Sequence, residues 1–162
     1  MSEQQLQGHQ LLIYTDGAAR GNPGPGGYGV VLLWGQQRKE LSAGYRLTTN
    51  NRMELLAVIV ALESLTKKNI PLTIYTDSQY IVNAVEKKWL DNWIRTDFKG
   101  GKKNKDLWTR YYQLTRHYKP RFVWVKGHAD NALNNRCDEL ATAAADGKHL
   151  LIDEGYERSL NV

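Results

Sequence analysis

The stretch Gln10-Leu11-Leu12-Ile13-Tyr14-Thr15-Asp16-Gly17 decides the fold, because an apolar run stops there on an acid. Its β-branched, aromatic and leucine residues are typical of a buried strand, with Asp16 at the carboxyl end. Leu72-Thr73-Ile74-Tyr75-Thr76 repeats this design, and Asp77 follows it at once. If the two strands are parallel neighbours, both acids emerge at the edge where open α/β sheets bind ligands.

Each of these acids also has a purely structural interpretation. Asp16 could be the first residue of an Asp-Gly turn, and Asp77 could be the N-cap of the next helix. The repeated Tyr-Thr-Asp ending of the two strands favours a shared functional edge.

The order of patterns along the chain predicts an α/β protein with a mixed sheet. Strands are expected at 10–14, 28–34, 38–47, 72–76 and 120–125, and helices from a cap at 48–51 to about 68 and at 78–88, 89–94, 105–118 and 134–145. Early strands joined by short turns, then strands alternating with helices, indicate a mixed sheet covered by helices. We expect one domain over 1–162, with a core at about 9–146 and a C-terminal tail at 147–162 without a clear element.

Composition limits the class of protein. Of the 162 residues, 41% are hydrophobic and 24% are charged, as in ordinary globular proteins. The single cysteine, Cys137, excludes an internal disulfide and suits a reducing compartment. Residues 1–8 lack the features of a signal peptide, and the longest apolar run, Leu55–Leu62, is too short to span a membrane. The sequence therefore predicts a soluble, cytoplasmic protein with no membrane partner. Our hypothesis is that it acts as a monomer.

The formal net charge is +5, and its location points to a partner. Between Lys87 and Arg110 there are eight basic and three acidic residues, so this stretch alone carries the whole excess. We interpret the excess as one local patch that faces a polyanion.

The same stretch holds tryptophans among its cations. The residues of interest are Trp89, Trp93, Trp108, Lys99, Lys102 and Lys103. Cations that meet phosphates and rings that meet sugars and bases are typical of a groove for a nucleic-acid backbone. The alternative is a solvated loop beside helices whose tryptophans lie in the core, and the charge count favours the groove.

Two further acids lie on helix faces that should be buried. Glu54 shares a face with Val58 and Leu62, so its carboxylate needs a partner such as a metal ion. Its alternative role is a capping partner for Asn51. Asp138 has small residues on its side of the last helix, and its alternative is a solvated surface acid.

Four acids from two strand ends and two helices would repel one another without counter-ions. The set is Asp16, Glu54, Asp77 and Asp138. Mg²⁺ takes a few carboxylates and leaves positions for phosphate and water, and two such ions support in-line phosphoryl displacement. His128 follows the fifth strand and could transfer protons near the site, or simply lie on the surface.

One motif misleads. The segment Gly24–Gly29 satisfies G-x-G-x-x-G, but the dinucleotide fingerprint requires a helix directly afterwards, and Val30–Trp34 has the pattern of a strand. We therefore exclude a nucleotide cofactor and expect these glycines to allow a close approach of the backbone or to build a hairpin.

With these residues assembled, the chain closely resembles the type I bacterial ribonuclease H family. The matching motifs occur in family order and cover nearly everything from about Leu11 to Ala145. They are Tyr14-Thr15-Asp16-Gly17, the runs 21–29 and 48–55, Thr76-Asp77-Ser78-Gln79-Tyr80, Val125-Lys126-Gly127-His128, Asn134 and the run 136–141.

The resemblance implies a ribonuclease H-like fold, in which a five-stranded mixed sheet has its first three strands antiparallel and strands 1, 4 and 5 parallel, flanked by helices. It also implies endonucleolytic hydrolysis of the RNA strand of RNA–DNA hybrids, giving 5′-phosphate and 3′-hydroxyl ends. The implied cofactors are two Mg²⁺ ions per active site when substrate is bound, with Mn²⁺ as a substitute. The implied partner is an RNA–DNA hybrid duplex.

The resemblance also assigns roles to individual residues. It makes Asp16, Glu54, Asp77 and Asp138 the metal ligands, and His128 a residue that assists proton transfer or product release. The implied substrate contacts are Asn22, Asn50 and Gln79 in the minor groove, Gly17, Ala18 and Ala19 at RNA 2′-hydroxyls, Thr49 at a DNA phosphate, Asn134, and a basic protrusion with Trp89, Trp93, Lys99, Lys102, Lys103 and Trp108.

The chain departs from the family pattern in two places. Ala18 and Ala19 stand where many relatives carry Ser and Cys, so contacts there must be made by the backbone. The stretch Phe98–Asn104 is shorter than in fuller bacterial members. Two alternative functions stay open, which are a nuclease of the same fold acting on DNA and a non-catalytic hybrid-binding module.

Overall fold

A mixed five-stranded sheet forms the centre of the protein, in a computed structural model that describes residues 10–101, 103–126 and 131–160. In chain order the elements are β1 (Leu11–Ala19), β2 (Gly24–Trp34), β3 (Gln37–Thr48), α1 (Asn50–Glu63), β4 (Leu72–Thr76), α2 (Gln79–Glu86), α3 (Trp89–Arg95), α4 (Lys105–Leu114), β5 (Arg121–Trp124), α5 (Ala132–Ala145) and α6 (Glu154–Ser159). The strand order is β3-β2-β1-β4-β5. The pairs β1–β2 and β2–β3 are antiparallel, and β1–β4 and β4–β5 are parallel, which confirms the predicted fold class.

Successive side chains of the central strands point to opposite faces of the sheet. Ile13 of β1 and Val30 of β2 belong to the larger core, together with α1 and α4. Tyr14 and Val31 belong to a smaller core with Cys137 of α5. The sheet is therefore covered by α1 on one face and by α5 on the other.

The first strand is longer than predicted, and this changes the place of Asp16. β1 continues past Asp16 because these residues pair with the glycine-rich start of β2, where Asp16 lies opposite Gly29. The parallel pairing with β4 stops earlier, at Tyr14 opposite Tyr75. Asp16 therefore lies within a strand rather than in an Asp-Gly turn, level with the position where Asp77 follows β4.

Two helices end earlier than predicted. α1 ends at Glu63 rather than near Lys68, because the Ser64 hydroxyl donates to the Ala61 carbonyl at 2.7 Å and so replaces the next backbone hydrogen bond of the helix. α4 likewise ends at Leu114.

Helix α5 lies against bare backbone of β2. A Cβ added at Gly29 would be 2.2 Å from the carbonyl oxygen of Cys137, and one at Gly27 would be 2.4 Å from that of Ala141. Only glycine permits so close an approach, which agrees with the small residues expected on this side of the helix. The approach brings Asp138 to the edge of the sheet.

The C-terminal segment was predicted as a tail without a clear element, but it contains a helix and joins the sheet. The Leu151 N–H donates to the Gly44 carbonyl at 2.8 Å, and the Leu151 carbonyl accepts from the Arg46 N–H at 2.9 Å. α6 follows, and its N-cap Asp153 accepts from the Tyr156 N–H at 3.2 Å. Apolar periodicity is weak in this segment, so the signal used for the other elements could not find it.

The guanidinium of Arg52 connects this segment to α1. Arg52 is 3% exposed, and its Nε and Nη2 donate to Asp153 at 2.8 and 2.9 Å. Its Nη1 and Nη2 donate to Asp106 at 2.9 and 2.7 Å. Burial alone would lower the pKa of Arg52, but the hydrogen bonds to both carboxylates raise it. One side chain thus ties α1, the start of α4 and the C-terminal segment together.

Replacing Asp153 with Asn should lower the free energy of unfolding by about 3 kcal/mol, because a buried ion pair loses its most buried carboxylate. Asp106→Asn is the matched control, since the Asp106 side chain is 47% exposed, and it should cost within about 1 kcal/mol. Urea unfolding followed by circular dichroism measures both. Equal losses would contradict the role assigned to burial.

Candidate active site

Three carboxylates meet where β1 and β4 reach the edge of the sheet. Asp16 comes from β1, Asp77 follows β4 directly, and Glu54 comes from the first turns of α1. One carboxylate oxygen from each lies within 4.8 Å of the others. Asp16 and Glu54 are buried, and Asp77 is partly exposed. The structure thus brings together three of the four acids singled out from the sequence.

The alternative helix-capping roles of these acids are wrong. α2 has Ser78 as its N-cap, and the Ser78 hydroxyl accepts from the Ile81 N–H at 3.2 Å, so Asp77 is not the cap. The N-cap of α1 is Thr49, so Glu54 does not pair with a cap at Asn51.

The surroundings of Glu54 disfavour a negative charge. Burial, followed by the charges of Asp16 and Asp77, raises the pKa of Glu54 well above its ordinary value. Its Oε2 atom is buried and has no hydrogen-bond partner among the described residues. A buried carboxylate oxygen without a donor, beside two other carboxylates, fits a hard divalent cation that would neutralise the group.

Asp138 of α5 lines the same cleft, which has a volume of about 350 Å³. Its carboxylate is partly exposed and lies outside the 4.8 Å group formed by the other three. All four acids therefore share one cleft, with Asp138 on its wall.

Residues expected to contact substrate form much of the remaining wall. Those that line the cleft are Gly17, Ala18, Asn50 and Gln79. Asn50 is held on both sides, because its Oδ1 accepts from the Ala19 N–H at 2.7 Å and its own N–H donates to Asn22 Oδ1 at 3.1 Å. Backbone donors thus occupy both amide oxygens, which turns the amide NH₂ groups of Asn22 and Asn50 toward other partners.

A larger groove, of about 1060 Å³, adjoins this cleft. Its lining includes Asn22, Thr49, Lys103, Lys105 and Tyr156. Asn51 lines both the groove and the cleft, so the two are continuous.

The tryptophans of the basic stretch divide into two kinds. Trp89 is 42% exposed, with the Lys87 ammonium 5.5 Å from its ring centroid. Trp93 and Trp108 are 8% and 0% exposed, and the Trp108 indole N–H donates to the Tyr80 hydroxyl at 2.7 Å. The core interpretation therefore holds for Trp93 and Trp108, and their burial does not support direct contact with a substrate.

The other residues predicted for the site differ in their exposure, and two of them lie outside the described part of the chain. Lys99 and Lys103 are exposed, while Lys102 and His128 lie outside the described residues. Asn134 is 1% exposed, so its placement does not support a direct substrate contact. Cys137 is 0% exposed, and burial, followed by the charge of Asp16, raises the pKa of its thiol to about 12, so both observations disfavour a nucleophilic role.

Two residues of the site region were not singled out from the sequence. Arg52 lies between polar Asn51 and a long apolar run of the same helix. A single arginine at the start of such a run could have indicated a buried cation that needs acidic partners. Trp124 is 41% exposed at the end of β5, and its indole N–H donates to the Asp77 carbonyl at 3.2 Å. No local pattern distinguishes such a tryptophan from an ordinary strand residue.

The fold and the carboxylate cleft define an α/β protein with a candidate divalent-metal site, and comparison with known proteins supplies the family. The RNase H family model matches residues 8–146. The protein named Ribonuclease H from Syntrophus aciditrophicus (strain SB) is 54% identical over 151 residues, which cover 91% of this chain and 87% of that protein. The Ribonuclease H of Desulforamulus reducens is 54% identical over 148 residues, covering 89% of this chain and 92% of that protein. The chain belongs to the ribonuclease H family.

Solved structures agree with this assignment. LC9-RNase H1, described as a type 1 RNase H with the type 2 active-site motif, superposes with a TM-score of 0.77 at 29% identity, covering 95% of this chain and 82% of that one. LC11-RNase H1, solved in complex with an RNA/DNA hybrid, gives a TM-score of 0.66 at 29% identity. The match covers 85% of this chain and 97% of that one. Within the described residues, no helix is long and apolar enough to cross a membrane.

Replacing Glu54 with Gln should stabilise the protein in EDTA by about 1 kcal/mol, since it removes a buried charge that repels its neighbours. The rise in melting temperature produced by MnCl₂ should shrink in the same variant, because a ligand that binds only the folded state stabilises in proportion to its affinity. Thermal unfolding with EDTA and with MnCl₂ measures both effects.

Glu154→Gln, an exposed change on α6, is the control and should respond to MnCl₂ like the unmodified protein. A full metal-induced shift in the Glu54 variant would contradict a metal site at this cluster.

Proposed function

We propose that this chain is a monomeric, cytoplasmic endoribonuclease that hydrolyses the RNA strand of RNA–DNA hybrids with two bound Mg²⁺ ions. The observation that carries the proposal is the cluster of Asp16, Glu54 and Asp77 within 4.8 Å, in a cleft that also holds Asp138. Membership of the ribonuclease H family and the hybrid bound to LC11-RNase H1 support the choice of substrate.

Two adjoining depressions suit a duplex better than a single strand. The acidic cleft takes the strand to be cut, and the groove with Thr49, Lys103 and Lys105 takes the phosphates of the other strand. Since the depressions meet at Asn51, both strands of one duplex can be engaged at once.

The hydrogen-bond donors that Asn22 and Asn50 offer explain how the enzyme can act without sequence preference. The amide oxygens of Asn22 and Asn50 already accept backbone hydrogen bonds, so these side chains offer N–H donors to a duplex. In the minor groove every base pair presents acceptors, and A·T and T·A look alike there. Gly17 and Ala18 line the cleft that takes the strand to be cut, where a 2′-hydroxyl distinguishes RNA from DNA.

The residues that would hold the metal ions are Asp16, Glu54, Asp77 and Asp138. When bound, two Mg²⁺ ions supply an activated water and stabilise the leaving oxygen of an in-line displacement. The burial of Asp16 and Glu54 fixes these side chains before substrate arrives, and Asp138 on the wall has more freedom to adjust. To His128, which lies outside the described residues, we assign assistance in proton transfer or in product release.

Asp16→Asn should slow cleavage of an RNA–DNA hybrid in Mg²⁺ by about 10²–10³-fold or more, because the reaction loses part of its electrostatic stabilisation. Hybrid binding measured in EDTA should change little. Asp91→Asn, an exposed change on α3, is the control and should cut at the normal rate.

The measurement is cleavage of labelled RNA–DNA, DNA–DNA and RNA–RNA duplexes with and without EDTA. Cleavage of the DNA duplex would favour the alternative of a DNA nuclease. Binding of the hybrid with no cleavage in Mg²⁺ or Mn²⁺ would favour a non-catalytic binding module.

Replacing Lys99, Lys102 and Lys103 together with Ala should weaken hybrid binding and flatten its dependence on salt. The log–log slope should fall by about one for each phosphate that the protein no longer neutralises. Fluorescence anisotropy across a KCl series in EDTA measures the slope. A variant with Lys39 and Lys148 changed to Ala, two exposed lysines elsewhere, should keep the original slope, and an unchanged slope in the first variant would place the protrusion away from the duplex.

A further inference from the structure

One of the three clustered acids, Asp77, lies outside a regular helix or strand. Asp16 belongs to β1 and Glu54 to α1, whereas Asp77 comes between the end of β4 at Thr76 and the start of α2 at Gln79. Asp77 is also partly exposed, while the other two acids are buried. The position of its carboxylate therefore depends on the bonds that hold this short connection.

The side chain of Trp124 holds the connection from the neighbouring strand β5. The parallel pairing of β4 and β5 ends at Thr76 opposite Trp124, and the Val125 N–H then donates to the Thr76 carbonyl at 2.9 Å. The indole N–H of Trp124 donates to the Asp77 carbonyl at 3.2 Å, at the upper end of the usual range for such bonds. The indole thus extends the hydrogen bonding between the two segments by one residue, to the acid itself.

The exposure of Trp124 favours a role for this N–H over a role in packing. Trp124 is 41% exposed, while Phe122, two residues earlier in β5, is 8% exposed and belongs to the larger core. Apolar surface that stays in water contributes no hydrophobic stabilisation. The property that distinguishes tryptophan from phenylalanine at this position is therefore the donor on its ring.

Two further hydrogen bonds shape the connection from within. The Ser78 N–H donates to the Thr76 hydroxyl at 3.0 Å, and the Ser78 hydroxyl accepts from the Ile81 N–H at 3.2 Å. Both bonds are local in sequence, so they form the turn from β4 into α2. Trp124 is 47 positions from Asp77, so its bond fixes the turn relative to another strand of the sheet.

We propose that Trp124 is a positioning residue for the metal site, and that its indole N–H holds the Asp77 backbone so that the carboxylate stays beside those of Asp16 and Glu54. This role rests on the proposed function, because it concerns the same metal site. Residues that orient metal ligands change the affinity for the metal without touching it. Loss of the indole N–H should therefore weaken metal binding without abolishing it.

The test is Mn²⁺ binding by the full chain without substrate, followed by the EPR signal of the free ion. Trp124→Phe keeps an aromatic ring but removes the donor, and it should bind Mn²⁺ about tenfold more weakly, as expected for loss of a residue that orients a ligand. The control is Tyr112→Phe on α4, which removes a polar atom from a ring of similar exposure, 43%. It should bind Mn²⁺ like the unmodified protein.

A second variant separates the donor from the shape of the ring. It carries benzothienylalanine in place of Trp124, an isostere with sulfur where indole has its N–H, and it should lose Mn²⁺ affinity as Trp124→Phe does. A cooperative urea transition establishes that each variant is folded.

Hybrid cleavage supplies a readout that a loss of stability alone would not produce. In Trp124→Phe, kcat at low Mg²⁺ should fall and should recover as the Mg²⁺ concentration is raised, because a weaker site is filled by more metal. KM for the hybrid should stay the same, since Trp124 acts on a metal ligand and not on the duplex.

Equal Mn²⁺ affinity in Trp124→Phe and the unmodified chain, with weaker binding by Glu54→Gln, would overturn the role of Trp124 and leave the proposed function standing. Loss of affinity in Trp124→Phe but not in the benzothienylalanine variant would also overturn it, because the ring and not its N–H would then hold Asp77. Unchanged Mn²⁺ binding in Glu54→Gln would place the metal elsewhere, and the proposed function would fail together with the role of Trp124.

Discussion

The contact between the backbones of β1 and α1 at Gly17 is the constraint on which the active site depends. A Cβ at this position would lie 2.4 Å from the Glu54 nitrogen and 2.5 Å from the Met53 carbonyl carbon. Because nothing larger than hydrogen fits, α1 comes close enough to set Glu54 beside Asp16 despite the repulsion between their charges. Packing in the apolar core thus maintains an arrangement of acids that electrostatics alone would disperse.

On the opposite face of the sheet, glycines again allow a helix to approach closely, but the acid on that helix lies farther from the other carboxylates. α5 rests on Gly27 and Gly29, and this places Asp138 in the cleft but outside the tight group of three. The buried carboxylates of Asp16 and Glu54 are held in defined positions, whereas the more exposed carboxylate of Asp138 has room to adjust. Enzymes that move phosphoryl groups depend on such positioning more than on covalent chemistry by the protein.

Much of the site could be predicted because its signals are local. The repeated Tyr-Thr-Asp endings and the place of Glu54 on an apolar helix face are visible within a few residues. The rest depends on distant partners. β1 extends past Asp16 by pairing with β2, and the buried indole N–H of Trp108 finds its hydrogen-bond acceptor in Tyr80, 28 positions earlier in the chain.

The ion pair between Arg52 and Asp153 also bears on how the protein matures. The two residues are separated by 101 positions, so Asp153 is translated long after Arg52. Until the ribosome has added it, the guanidinium of Arg52 has not yet met this carboxylate, and the helix that carries Glu54 is incompletely anchored. The pair between Arg52 and Asp153 can therefore form only after the region around Asp153 has left the exit tunnel, so this link between α1 and the C-terminal segment is among the last contacts of the fold to be made during synthesis.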